Sequence, residues 1–315
     1  MFNLALALYE PGDEVIVPAP YWVSYPEQIR IVGAEPVIVE THEAQNFLLT
    51  PQALEAALTT RTKAIILCTP SNPTGSAYSE DALRGLLNVL ERHECWLIVD
   101  EIYASLVYDG FRSTSALSLA SPALRERIIV VDGVSKAYAM TGWRIGWSIT
   151  PSAICKALDV VQGQSTTNAT AVAQAAAVVA LVSDQSCVEK MRNTFEARRN
   201  RMVAALNAIP GLRCRTPEGA FYAFVDVRGL YGIVTQHAAS GIIANDLDVA
   251  KFLIEEAGVA AVPGSAFGAP GYLRFSYATS EAIIDQGIAS LRAAVDRCGS
   301  GKLRPSPLHD SLESA

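Results

Sequence analysis

The stretch Val131-Asp132-Gly133-Val134-Ser135-Lys136-Ala137-Tyr138-Ala139-Met140-Thr141-Gly142-Trp143-Arg144-Ile145-Gly146 lies between two apolar runs. Ile128 to Val131 leads in and reads as a buried strand, and Trp143 to Ile149 leads out. Between them sits one lysine, Lys136, in a segment poor in charge, with Arg144 eight residues later. A lysine amine has a reference pKa of roughly 10.4 and is a weak nucleophile at neutral pH. Partial burial or a nearby cation lowers that value and opens covalent chemistry with carbonyl groups. Arg144 would supply such a cation and would also hold an anionic group. The plain alternative is a surface lysine at a strand end.

Working outward, the chain alternates short apolar runs with helical patterns. Glu14 to Val17, Pro36 to Val39, Lys63 to Cys68 and Trp96 to Val99 read as strands. Between them, Tyr21 to Val32, Pro51 to Leu58 and Ser79 to about Arg92 read as helices. Strands apolar on both faces and alternating with helices predict a parallel sheet covered on both sides, an α/β fold. In such sheets ligands sit beyond the carboxyl ends of the strands. Asn72, Asp100 and Lys136 each come at or just after a strand end, so all three are expected on one edge of the sheet. Ser152 to Val161 and the small-residue stretch Ala169 to Val182 follow as helices, the latter suited to close packing at an interface. Ser186 to Ile209 is a long amphipathic helix leading to a second, smaller α+β domain. There, Gly219 to Val227, Val259 to Val262 and Tyr272 to Tyr277 read as strands, and Asp246 to Ala257 and Ser280 to Arg297 as helices. Tyr231 to Ala244 is rich in Gly and Ala and reads as a flexible insertion. The expected divisions are 1–185, 186–298 and a tail, 299–315, whose prolines and mixed charges predict disorder.

Composition narrows the function. The 315 residues suffice for a large core and two domains. No apolar run approaches the roughly 20 residues of a membrane helix. Met1 to Leu8 is apolar, but no basic lead-in or small-residue cleavage site marks it as a signal peptide. A net charge of −7 argues against a nucleic acid as partner. Arg198-Arg199-Asn200-Arg201 falls in a helical pattern and reads as a solvated face. The six cysteines are scattered without a CxxC and read as reduced core thiols of a cytosolic protein. The four histidines are isolated, so no metal site is expected.

Several short motifs fall at the predicted strand ends. Ser71-Asn72-Pro73-Thr74-Gly75 is a strand-to-helix turn, with Pro73 restricting Asn72 to extended backbone. Its Asn72 amide would donate to a phenolate or carboxylate oxygen, or serve the turn alone. Asp100-Glu101-Ile102-Tyr103 follows the fourth strand. Asp100 would pair with a protonated ring nitrogen, or cap the next helix. Tyr103 would then donate to a ring oxygen. Trp22, in Pro20-Tyr21-Trp22, would lie on an aromatic ring or fill the core. Arg274 interrupts the strand Tyr272 to Tyr277 and needs an anion, either a substrate carboxylate or an internal partner. A reactive lysine with a phosphate anchor points to pyridoxal 5'-phosphate (PLP). Gly264, Gly268 and Gly271 do not have the spacing or setting of a dinucleotide loop.

Taken in order, these motifs resemble the class I (fold-type I) PLP-dependent aminotransferases, the aspartate aminotransferase branch in particular, over nearly the whole chain to about Cys298. The segments carrying the resemblance are Pro-Tyr-Trp at 20–22, Ser-Asn-Pro-Thr-Gly at 71–75 and Asp-Glu-Ile-Tyr at 100–103, then Ser-Lys-Ala-Tyr-Ala-Met-Thr-Gly-Trp-Arg at 135–144 and Arg-Phe-Ser-Tyr-Ala-Thr-Ser at 274–280. The resemblance implies a three-layer sandwich with a mostly parallel sheet, plus a smaller C-terminal domain. It implies a Schiff base on Lys136, Asp100 on the pyridine nitrogen, and Tyr103 and Asn72 on the ring oxygen. Trp22 would stack on the ring. Arg144, helped by Ser135, would bind the phosphate. Arg274 and Asn72 would hold the substrate carboxylate. The implied reaction moves the amino group of an L-amino acid, aspartate or a related one, to a 2-oxo acid such as 2-oxoglutarate. A cytoplasmic homodimer is implied. Relatives carry an N-terminal arm and a phosphate loop before the helix at Phe2, and this sequence starts after them. That departure leaves a catalytically impaired fragment open, and the shared motifs leave a PLP-dependent beta-lyase open. Gly133 is a second departure, where some relatives have serine.

Overall fold

The structure, a computed structural model, describes residues 1–238 and 240–298. The expected tail from 299 lies outside the described residues. The chain forms two compact units. One comprises Met1–Asn72, Ser76–Asn193 and Glu218–Ala220, and the other Pro73–Gly75, Thr194–Pro217 and the chain from Phe221.

The first unit is built on a six-stranded sheet of β1 (Glu14–Ala19), β2 (Glu35–Glu40), β3 (Thr62–Cys68), β4 (Trp96–Asp100), β5 (Ile128–Gly133) and β6 (Gly146–Ile149). Their order is β2-β1-β3-β4-β5-β6. All neighbours are parallel except β5 and β6, which pair antiparallel. This is the doubly covered α/β sheet that the alternating pattern predicts, and the mostly parallel sandwich that the family resemblance implies. Helices α1 (Phe2–Leu8), α2 (Ser24–Ile31), α3 (Pro51–Ala57), α4 (Glu80–Leu90), α5 (Ala116–Leu119), α6 (Pro122–Arg125), α7 (Ser152–Gln164) and α8 (Ala171–Val182) accompany it.

Why the strands are apolar throughout is visible in the core. Ile16, Ile65, Leu67, Leu97, Val99, Ile128 and Val130 face one layer, formed by α3 to α6. Their sequence neighbours Val15, Val17, Ala64, Ile66, Ile98 and Ile129 face the other, formed by α1, α2 and α7. Successive strand side chains point to opposite faces, so a sheet covered twice needs both parities apolar. The helices begin where the sequence caps them. Ser79 accepts a hydrogen bond from the Ala82 N–H at 3.2 Å, and Glu80 and Asp81 in the first turn suit the positive end of α4. Leu83, Leu86, Leu87 and Leu90 then form its buried stripe.

Helix α9 (Ser186–Asn207) is shared between the units. The second unit holds a four-stranded antiparallel sheet, ordered β7-β8-β10-β9, of β7 (Arg213–Cys214), β8 (Tyr222–Asp226), β9 (Val262–Pro263) and β10 (Tyr272–Ser276). Its further helices are α10 (Asp246–Ala257) and α11 (Glu281–Cys298).

Three expectations need correction. Arg199 is not on a solvated face. It is 1% exposed and donates to the Pro217 carbonyl at 2.8 Å, because helical spacing places it with Phe195, Met202, Val203 and Leu206. Cys155 and Cys187 are exposed rather than core thiols, since α7 and the start of α9 turn them outward. The segment read as a flexible insertion is anchored. Ile233 and Ile243 are buried, a backbone bridge joins Val234 to Ile242, and the Ile243 N–H donates to the Ile233 carbonyl at 2.9 Å.

Candidate active site

Parallel register fixes the site in the first unit. Cys68 pairs with Asp100 and Asp100 with Val131, so β3 and β4 end side by side and β5 runs on past them to Gly133. The ladder continues past the strands, with Thr69 N–H donating to the Asp100 carbonyl at 3.0 Å and Glu101 N–H to the Val131 carbonyl at 2.8 Å. Asn72, Asp100 and Lys136 thus come off one edge of the sheet.

Asp100 is buried. Its Oδ2 accepts the Tyr25 O–H at 2.6 Å, and its Oδ1 accepts the Ile102 N–H at 3.2 Å. Burial pushes its pKa up, while the Tyr25 O–H, the Ile102 N–H and the charge of Lys136 oppose that rise. Each oxygen keeps lone-pair capacity beyond its one protein partner. Lys136 is half-buried, and its Nζ stands 5.6 Å from the centroid of the buried Tyr103 ring. Ser135 beside it is also half-buried. Ala139 adopts a left-handed φ of 53° and its N–H returns to the Lys136 carbonyl at 3.2 Å, which tightens the loop after the lysine. Asn72 is buried. Trp22 is half-buried and meets the Tyr25 ring edge-on at 5.2 Å. The structure does not bear out the alternative of Asp100 as a helix cap, because the Ile102 contact closes a turn.

Arg144 is exposed, with a left-handed φ of 56°, and its Nη1 donates to the Thr141 carbonyl at 3.0 Å. It lines an open cleft of about 540 Å³ together with Asp132, Ser148, Asn3 and Gln162. Burial pushes the Asp132 carboxyl up to about 6, aided by the nearby charges of Glu101 and Asp100 and opposed by the Gly133 N–H. Gly133 has a steric reason to lack a side chain. A Cβ there would lie 2.8 Å from the Ile145 carbonyl oxygen and 3.0 Å from Gly146 Cα. Arg274 belongs to the second unit, where its guanidinium carbon lies 4.5 Å from the Tyr222 ring centroid and 4.9 Å from that of Phe267.

A phosphorylated pyridine aldehyde asks for an amine, an anionic acid for its ring nitrogen, donors for its phenolic oxygen and a cation for its phosphate. The first unit offers Lys136, Asp100, Tyr103 with Asn72, and Arg144. The donor set fits that group.

A family profile described as aminotransferase class I and II matches residues 2–291. The chain belongs to the class I aminotransferases. Among its relatives, the aspartate aminotransferase of Rhizobium meliloti (strain 1021) is 47% identical over 298 residues, covering 94% of this chain and 72% of the relative. The aspartate/prephenate aminotransferase of Nitrosomonas europaea is 46% identical over 282 residues, covering 89% and 70%. The crystal structure of the Rhizobium meliloti aspartate aminotransferase superposes with a TM-score of 0.90 at 47% identity, covering 94% of this chain and 74% of that one. The aromatic aminotransferase of Pyrococcus horikoshii OT3 gives 0.86 at 32% identity, covering 94% and 77%.

In this aminotransferase chain, sequence reasoning missed Tyr25 as the hydrogen-bond partner of Asp100. Tyr25 sits three residues after Trp22 in an amphipathic helix, where an aromatic residue reads as core. Its hydroxyl target lies 75 positions away. A search for buried aromatic hydroxyls opposite the strand-end acid would have found it.

Proposed function

We propose that this aminotransferase transfers the amino group of an L-amino acid, aspartate first among donors, to a 2-oxo acid such as 2-oxoglutarate, using PLP held by the first unit. The observation that carries the reading is the Lys136 amine above the Tyr103 ring, beside a buried Asp100 whose oxygens are held by Tyr25 and the Ile102 N–H. When bound, PLP supplies a carbonyl that captures amines and a ring that takes up the electron pair left on the substrate alpha carbon. The chain's own residues do the rest. Asp100 holds the ring nitrogen protonated. Tyr103 and Asn72 donate to the ring oxygen, and Trp22 covers one face of the ring. Arg144 and Ser135 bind the phosphate. Lys136, as a free amine, would take the proton from the substrate alpha carbon and deliver it to C4' of the cofactor, a general acid–base role worth about 10²–10⁴-fold in rate. Arg274 and Asn72 bind the substrate carboxylate. In this reading 1–185 is the cofactor domain and 186–298 the smaller one. The donor assignment is supported by the names of the relatives, which are aspartate or aspartate/prephenate aminotransferases.

The same reading makes the chain a cytoplasmic homodimer. Its support is α8, which exposes Val172, Val178, Val179, Leu181 and Val182 on one unit. Among the described residues no single helix is long and apolar enough to cross a membrane.

The test is direct. Purified chain is mixed with PLP, its visible spectrum recorded, and the sample reduced with borohydride and mapped by peptide mass. A pyridoxyl adduct on Lys136, together with glutamate formed from aspartate and 2-oxoglutarate, is expected. Absence of the adduct at Lys136 refutes the cofactor reading. Adduct formation with pyruvate and ammonia released from a cysteine conjugate, and no amino transfer, would replace transamination by elimination.

A further inference from the structure

The two oxygens of Asp100 are held in different ways. Oδ1 takes the Ile102 N–H, a turn contact that almost any residue at 102 would make. Oδ2 takes the O–H of Tyr25, which arrives from α2 and is 2% exposed. Nothing at the sheet edge obliges a hydroxyl to be there. Trp22 braces the Tyr25 ring edge-on, and Cys68, the strand partner of Asp100, borders the same phenol while its own Sγ faces the Pro70 carbonyl at 3.4 Å. Tyr25 is packed so that its one proton meets one anionic acceptor. Burial first, and then the charge of Asp100, hold that phenol well above its ordinary value, so it stays a donor. Lys136 and the Met1 amino group also act on this acid through their charges, and its own charge acts on Glu101, Asp132 and the Cys68 thiol.

We propose that Tyr25 is a positioning residue, whose O–H keeps the Asp100 carboxylate anionic and fixed in rotation, leaving its remaining lone pairs for the ring nitrogen of the cofactor. This rests on the PLP reading above. It adds a residue that reaches the chemistry only through another. Charge-assisted hydrogen bonds to a buried carboxylate are strong, and their loss favours the protonated acid.

The experiment compares the full chain with Y25F, Y25H and Y78F. Tyr78 is a matched control, a buried phenol whose oxygen accepts the Leu49 N–H at 2.8 Å. Two quantities are read in folded protein, checked by near-UV circular dichroism. The first is the ¹³C-NMR titration of the Asp100 carboxyl without cofactor, assigned with D100N. The second is PLP affinity by absorbance titration. Y25F is expected to titrate about one pH unit higher and to bind PLP about tenfold more weakly. Y25H, which restores a ring N–H donor, is expected to recover most of both, and Y78F to stay within about twofold of the unmutated chain. An Asp100 midpoint in Y25F equal to that of the unmutated chain overturns the proposal, as does a Y78F effect of the same size or no recovery in Y25H. If the unmutated chain binds no PLP, the proposed function fails and the positioning role falls with it. If it binds PLP and Y25F is unchanged, only the positioning role falls.

Discussion

Replacing Gly133 with alanine tests how tightly the lysine segment is held. Gly133 ends β5 and pairs with Gly146 at the start of β6. An added Cβ would sit 2.8 Å from the Ile145 carbonyl oxygen, 3.0 Å from Gly146 Cα and 3.3 Å from Ile102 Cδ1. The two shortest contacts are to backbone, which cannot swing aside as a side chain would. Either β6 moves away from β5 or the Ile145 peptide rotates, and both disturb the loop that joins Lys136 to Arg144. Forcing one extra methyl into a packed site costs about 1–3 kcal/mol. At about 2–4 °C per kcal/mol for a domain of this size, the midpoint of thermal unfolding should fall by about 2–12 °C. The control is Gly142→Ala in the same loop, where a Cβ would meet nothing within 4 Å. It should change stability by less than about 0.5 kcal/mol. Calorimetry and urea titration of both variants decide the matter. If G133A unfolds with G142A and the unmutated chain, the contact between β5 and β6 is not as tight as the structure shows, and the account of why serine is absent there is wrong.

Three further outcomes are expected. The Asp132 carboxyl, raised to about 6, binds its proton more readily folded than unfolded. Its penalty is therefore complete above that pH, and stability should rise as pH falls from about 6 toward 4. Asp132→Asn, measured by urea unfolding, should gain up to about 2 kcal/mol at pH 7.5 and nothing at pH 4. In the second unit, burial of Asp226 is outweighed by Arg228 and Arg213, which hold its carboxyl below the ordinary range. That stability is present above about pH 4 and lost as pH falls through the lowered value, so Asp226→Asn should cost about 2–3 kcal/mol at pH 7 and progressively less below pH 4. Ala139, left-handed at φ 53°, should prefer glycine: Ala139→Gly should raise stability by about 0.5–1 kcal/mol in the same assay.

The sheet was legible because its physics is local. Lys63 to Cys68 and Trp96 to Val99 are short, apolar at both parities and followed by polar residues, a pattern that few structures other than a doubly covered parallel strand satisfy. The strand-end rule then located Asn72, Asp100 and Lys136. Other features were hidden for definite reasons. β7 has two residues, too short to leave a period. That β6 runs against β5 depends on the left-handed turn at Arg144, which no residue in Thr141-Gly142-Trp143 announces. Arg199 carries the same charge as its neighbours, and only the position of Phe195 and Met202 on its helix face separates it from Arg198 and Arg201. The aim of Arg274 is likewise set by two rings, Tyr222 and Phe267, from different parts of the chain.

The link between Asp100 and Tyr25 shows why sheet register is a chemical constraint here as well as a structural one. Along β4, Ile98 packs in the layer that contains α2, and Val99 packs in the opposite layer. Alternation returns Asp100 to the side of Ile98, which is the side from which Tyr25 comes. A shift of one residue would turn the acid toward Leu83, Leu86 and Leu87 of α4, away from the Tyr25 hydroxyl. A carboxylate in that setting would take up a proton, since burial alone raises its pKa. The two apolar faces that hold the sheet together therefore also select the ionisation state of the residue at its edge, because only the alternation that leaves Ile98 in the layer of α2 brings Asp100 to the Tyr25 phenol.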